Sequence, residues 1–243
     1  MVLEHVTDYA MLSGGDVVLE VGAGFGFLTR HLAARCKQVM AIERDQTIAT
    51  VLAEQLRDLR NVELITGNVL KTDVPAFNKV VSIPPYQISS KLLQWLLRRR
   101  FDCTVLVFQK EFVRHLVASV GSDEYGWLTV MAYRSVDVEL LEQVSKRAFY
   151  PHPQVDSTVI RLKPRIPKPF EVKNEEQFAR FLQSLFTSRN RKIRNAVVPF
   201  LKGVMGLNST EAHRLADTAP FHDRRPRELS PENIGELTNA LTS

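Results

Sequence analysis

The chain has 243 residues, of which 44% are hydrophobic and 24% charged, with a formal net charge of +5. This length suits one large domain or a large one with a small one, and the hydrophobic share is that of a soluble globular protein. No run of 18 apolar residues is present to span a bilayer, the start MVLEHVTDYAML lacks a signal peptide's basic stretch and apolar core, and so mild a charge permits a polyanionic partner without requiring one.

Val17–Val21 predicts a buried strand. Gly22, Gly24 and Gly26 follow at once and open a helix over 27–35. Gln38–Glu43 predicts a second strand ending on an acid, with a helix over 48–59 behind it. Val62–Thr66 is the third strand, followed by Gly67 and Asn68. Lys79–Ser82 is the fourth, leading through Ile83-Pro84-Pro85-Tyr86 into a helix over 87–99. Cys103–Gln109 is a fifth, nearly all apolar, with a helix over 111–120. Val136–Val144 and 157–162 alternate and finish the sheet. Strands alternating with helices of this length predict an α/β fold, a mostly parallel sheet with helices on both faces. Near Pro164 the texture changes. Residues 163–170 carry three prolines and three basic residues and read as a linker between residues 1–165 and 166–243. Beyond it only helical patterns occur, over Glu175–Thr187, 191–201, 210–216 and Pro231–Leu241, the last with Ser230 as cap and Pro231 in the first turn. The expected second domain is small and all helical.

The glycine turn lets backbone N–H groups approach a ligand closely at a helix start. Glu43, ending the second strand, can take both hydroxyls of a ribose. Asn68 can pair with an adenine edge through its amide. A glycine turn alone fits a dinucleotide fold or an S-adenosylmethionine site. Two prolines and a tyrosine at the end of the fourth strand form a stiff, aromatic lip suited to a flat ring. Ile83 opens that lip where an amine-methylating site is expected to place a polar acceptor. Arg189, Arg191, Lys192 and Arg194 put four cations in six residues, surrounding a helix start, a pattern suited to a phosphate backbone. Arg98, Arg99 and Arg100 form a second cluster; Arg224, Arg225 and Arg227 form a third. Tyr125 and Trp127 read as core. The histidines show no ligand spacing, and Cys36 and Cys103 read as buried thiols, so no metal site is expected.

Together these motifs resemble the ribosomal RNA adenine N6,N6-dimethyltransferases, closest to their archaeal and eukaryotic branch. Val18 to Gly24 resembles the family's cofactor loop, Ala41 to Asp45 its ribose-binding acid, Val80 to Ser90 its catalytic loop, and Phe149 to Ser157 a proline-rich loop by the target pocket. Phe186 to Asn195 resembles the basic helices of its small C-terminal domain, and Arg224 to Glu232 that branch's C-terminal signature. The resemblance implies a Rossmann-like class I methyltransferase sheet that binds S-adenosyl-L-methionine through Glu20, Gly22, Gly24, Glu43, Arg44, Asn68, Val69 and Ser82. It implies catalytic roles for Ile83, Pro84, Pro85, Tyr86 and Phe149, with Tyr86 stacked on an unstacked adenine and Phe149 over its other face. Arg189, Arg191, Lys192, Arg194, Arg224 and Arg225 would bind RNA. The chain departs from the family at Ile83, where Asn is usual, at Pro84, where Leu or Ile is usual, and at Asn68, where Asp is usual. It also starts after the usual Gln-x-Phe-Leu segment. The implied activity is dimethylation of adjacent adenosines near the 3′ end of small-subunit rRNA, by a cytoplasmic monomer acting on a pre-30S-like particle, with no metal and no membrane. A non-catalytic or altered-specificity ribosome-assembly factor is the alternative that Ile83 favours. A nicotinamide oxidoreductase is disfavoured by the double-proline loop and the basic helical tail.

Overall fold

The computed structural model describes residues 2–150 and 152–242. Its apolar runs become β1 (Val17–Val21), β2 (Gln38–Glu43), β3 (Val62–Thr66), β4 (Lys79–Ser82), β5 (Cys103–Gln109), β6 (Val136–Val144) and β7 (Ser157–Pro164). They form one sheet in the order β3-β2-β1-β4-β5-β7-β6. The first five pair in parallel, whereas β7 runs antiparallel to both β5 and β6. Among its described residues, the connection from β6 to β7 holds only a 3₁₀ turn at Lys146–Ala148, and a parallel pair would need a full crossover there. Strands β1, β2, β4 and β5 are almost wholly buried, which explains their continuous Val, Leu and Ile content.

The helices of the same unit are α1 (Val2–Tyr9), α2 (Phe27–Ala33), α3 (Gln46–Gln55) and α4 (Ser89–Leu96), with α5 (Lys110–Leu116) beginning at its end. Helix α3 starts before the expected residue 48 because the Asp45 carboxylate accepts the N–H groups of Thr47 and Ile48. A 3₁₀ turn, Tyr86–Ile88, occupies what reads in sequence as the first turn of α4. Helix α1, which strand–helix alternation does not predict, is tied to β6 through Glu142. That carboxylate meets His5 Nδ1 at 2.9 Å and accepts the Tyr9 hydroxyl at 3.2 Å. Lys79 Nζ donates to the carbonyls of Ala10 and Met11 just past the helix and sits 3.1 Å from Asp16.

The chain divides into two compact units, Met1–Val113 with Val136–Pro164, and Arg114–Ser135 with Arg165–Ser243. A single boundary after residue 165 therefore needs correction, because residues 114–135 group with the C-terminal helices. Specific bonds explain this. Tyr125 donates its hydroxyl to the Leu229 carbonyl, and Arg189 holds the Asp123 carbonyl. Arg134 is 2% exposed and makes a bidentate pair with Glu175 at 2.7 and 2.9 Å. The second unit contains α6 (Trp127–Ser135), α7 (Glu175–Thr187), α8 (Ile193–Ala196), α9 (Val198–Gly203), α10 (Ser209–Asp217) and α11 (Pro231–Leu241). No described helix is long and apolar enough to cross a membrane.

Candidate active site and nucleic-acid interface

The glycine turn is stitched to the end of β2: Gly22 and Ala23 both donate to the Ile42 carbonyl, at 2.8 and 3.1 Å. Gly22, Gly24 and Gly26 all have positive φ, which favours glycine. At Gly22 a Cβ would also lie 2.7 Å from Cδ of Pro85. The turn after β1 and the proline loop after β4 are thus in direct contact. At Gly24 a Cβ would meet nothing within 4 Å, so this residue faces open space. Glu43 is oriented from both sides: one carboxylate oxygen accepts Gly24 N–H at 3.0 Å and the other accepts Asp45 N–H at 2.9 Å. Each oxygen keeps a lone pair for a further donor.

Two cavities meet at Gly22. One, of about 230 Å³, is lined by Val21, Ile42, Val69, Pro85 and Ile88 with Glu43, Arg44 and Asn68 at its polar edge. The other, of about 850 Å³, lies among Glu20, Ala23, Phe27, His31, Ile83 and Phe149, with Val2 and Leu3 of α1 closing one side. The first has the apolar walls and the carboxylate that an adenosine moiety requires, and its residues fit S-adenosylmethionine. Asn68 uses its side-chain oxygen to accept Leu70 N–H at 3.1 Å, a local turn cap that leaves one lone pair and the amide donors available. Glu20 borders the larger cavity and accepts the Thr29 hydroxyl at 2.6 Å. Burial pushes its carboxyl up to about 8, Thr29 opposing the shift and the nearby Glu43 charge adding to it.

Ser82 requires a correction. It is fully buried, and its hydroxyl bonds the Val21 carbonyl at 2.6 Å and Val21 N–H at 3.3 Å, clipping β4 to β1. Its hydroxyl is therefore committed to the sheet and not presented to a cofactor. In the catalytic loop, Ile83 and Phe149 are partly buried against the core of this unit and share the wall of the larger cavity. Pro84 is buried, and Pro85 is exposed at the smaller cavity. Among the described residues, no protein donor occupies the carbonyls of Ile83 or Pro84. Tyr86 is held by Ser157: their hydroxyl oxygens are 2.6 Å apart. Neither Tyr86 nor Ser157 lines the two cavities; Ser157, which closes the motif beginning at Phe149, is the buried partner of Tyr86 that sequence reasoning passed over. Phe27, His31 and the start of α1 were likewise not assigned to the site. Pro151, within the same motif, lies outside the described residues.

The cations of the second unit, clustered around the start of α8, are mostly engaged by acids. Arg189 pairs with Asp123, and Lys192 and Arg194 both reach Asp223. Arg224 donates to the Glu228 carbonyl, and Arg225 lies 3.9 Å from the Glu228 carboxylate. Arg191 is exposed with no bonded acid among the described residues. Asp123 and Asp223 reach residues 189–194 from distant parts of the chain, whereas Glu228 is local to Arg224 and Arg225. Among the described residues, no group of three or more His, Cys, Asp or Glu side chains is placed to hold a metal ion.

A sheet with β7 inserted antiparallel between β5 and β6, a glycine turn after β1 and a carboxylate ending β2 define a class I, S-adenosylmethionine-dependent methyltransferase. The ribosomal RNA adenine dimethylase family profile matches residues 1–228, and the chain belongs to that family of rRNA adenine methyltransferases. It is 39% identical to a probable ribosomal RNA small subunit methyltransferase A of Methanosarcina acetivorans, over 98% of this chain and 88% of the relative. A protein of the same description from Thermococcus onnurineus is 39% identical over 97% and 86%. The crystal structure of a dimethyladenosine transferase from Plasmodium falciparum superposes with a TM-score of 0.81 at 25% identity, covering 97% of this chain and 93% of that one. The 23S rRNA methyltransferase ErmE superposes with a TM-score of 0.69 at 27% identity, covering 100% and 97%.

Proposed function

We propose that this methyltransferase dimethylates N6 of two adjacent adenosines near the 3′ end of small-subunit rRNA, acting as a cytoplasmic monomer on a pre-30S-like particle. The observation that carries this reading is the pair of cavities sharing the Gly22 wall, one suited to adenosine and the other open beside Ile83 and Phe149. Glu43 would hold the ribose hydroxyls, and Val21, Ile42, Val69, Pro85 and Ile88 would enclose the adenine ring. S-adenosylmethionine supplies, when bound, an electrophilic methyl group on a sulfonium.

The chain's own contribution is to position the acceptor. The N6 lone pair of adenine is delocalised into the ring, so the nitrogen gains nucleophilicity when its N–H bonds are accepted and its approach is aligned. The free carbonyls of Ile83 and Pro84 can accept these bonds, and the prolines hold the loop stiffly. Phe149 and Ile83 provide apolar surface for a base removed from its stack. The Ile83 side chain supplies no acceptor of its own. One missing acceptor in a buried site costs about 1–3 kcal/mol, which corresponds to about tenfold to a few hundredfold in rate.

Mass spectrometry of small-subunit rRNA from cells with and without the gene tests the reading directly. Two N6,N6-dimethyladenosines near the 3′ end are expected to disappear with the gene. Ile83→Asn is expected to raise the methylation rate of a purified particle by about tenfold or more. An unchanged methylation pattern on gene loss would overturn the proposal in favour of an assembly role.

A further inference from the structure

The basic segment before α8 and the Phe221-His222-Asp223-Arg224 turn are far apart in sequence but form one structure. Ile193 N–H donates to the Arg224 carbonyl at 2.8 Å, and Arg194 N–H donates to the His222 carbonyl at 3.1 Å. Phe221 takes a positive φ of 60°, turning the chain so that this pairing can form. Three basic side chains then converge on one carboxylate. Lys192 Nζ is 2.9 Å and Arg194 Nη1 3.3 Å from one oxygen of Asp223, and His222 Nε2 is 3.2 Å from the other.

All four side chains are substantially exposed. Exposed ion pairs of this kind contribute little to stability, because fixing long side chains offsets the attraction. Their rearrangement around another anion would therefore cost the fold little. Donors gathered from a lysine, an arginine and a histidine around a small oxyanion are a geometry that a phosphodiester also satisfies. Neighbouring cations are committed elsewhere, Arg189 to Asp123 and Arg224 and Arg225 to Glu228. Arg191, next to Lys192 in sequence, is a further exposed cation.

We propose that Lys192, Arg194 and His222 form one phosphate-binding site for the backbone of the RNA substrate, and that Asp223 occupies it as an internal stand-in which a phosphate displaces. The inference rests on the reading of the protein as an RNA methyltransferase and adds which groups grip the backbone. Asp223 keeps the three side chains gathered in the free protein. It also imposes a charge that any RNA must overcome, so loosely held RNA is rejected.

The test is fluorescence anisotropy with a labelled RNA hairpin carrying two adjacent adenosines, titrated over a salt series with the full chain and with Asp223→Asn. Removing the charge is expected to tighten binding about three- to tenfold at low salt, a gain that shrinks as salt screens it. The melting temperature of the variant should match the parent's, since the pairs are exposed. Adding Lys192→Gln to Asp223→Asn is expected to cancel most of the gain and lower the salt slope by about one. If the parent binds but Asp223→Asn brings no gain, or if Lys192→Gln leaves the gain intact, the site is overturned while RNA binding stands. If the parent fails to bind the hairpin at any salt, the phosphate site is overturned, while the family assignment and its rRNA methyltransferase activity stand on the whole-chain matches.

Discussion

Tyr86 shows how a single side chain can be recognised in sequence while its control is missed. Its place after two prolines marked it as an aromatic for a flat ring, but its hydroxyl is set by Ser157, 71 positions away. Ser157 is fully buried at the start of β7, and no local pattern points from one hydroxyl to the other. Ser157→Ala is expected to leave the phenol unpaired in half-buried surroundings, at a cost of about 1 kcal/mol. In steady-state kinetics this should appear as a lower kcat with RNA affinity unchanged, and Ser157→Thr should restore most of it. A loss of affinity with kcat intact would instead make Ser157 a binding residue. The glycine turn and Glu43 were legible for the opposite reason: their function depends on short spacing along the chain, which sequence displays directly.

Elements with local signals were read well. Glu175–Thr187 and Pro231–Leu241 have the expected bounds because Asn174 and Ser230 cap them through side-chain oxygens. The helix expected over 191–201 is two, α8 and α9. Pro199 sits in the first turn of the second, where its missing N–H costs nothing. Helix α1 had no such signal. It is short, and it is anchored by Glu142 and, just past its end, by Lys79, both from later in the chain. Lys79→Met would remove the donor to two carbonyls and the cation beside Asp16 together. It is expected to destabilise the protein by about 1–3 kcal/mol in urea denaturation. Hydrogen exchange should quicken in α1 before it does in β1 or β2; uniform quickening would show that Lys79 supports the whole sheet equally.

For the molecule as a whole, two carboxyls set opposite limits on stability against pH. Burial acts to raise Asp16, but hydrogen bonds from Asn78, Ser13 and Lys79 outweigh it and hold the group at about 2 against an ordinary 3.8. Its contribution is present above 3.8 and is lost as the pH falls through about 2. Glu20 behaves in the reverse sense. Its contribution is complete below 4.5 and is lost as the pH rises through about 8, because the buried group must then ionise. Urea denaturation at pH 5 and pH 8 should show the parent weaker at the higher pH and Glu20→Gln with a flatter dependence. Equal slopes would show that Glu20 ionises without penalty. At this scale the parallel core of the sheet was legible from its alternation with helices. The antiparallel β7 and the grouping of residues 114–135 with the C-terminal helices were not, since both depend on long-range pairing.

The contact between Gly22 and the ring of Pro85 leaves no space for even one methyl group between them. Donor grip and base presentation are consequently built back to back, and neither loop can be redesigned alone. A graft that carries Ile83 to Tyr86 into another scaffold must bring the matching glycine with it, or the transplanted loop will be displaced from its seat.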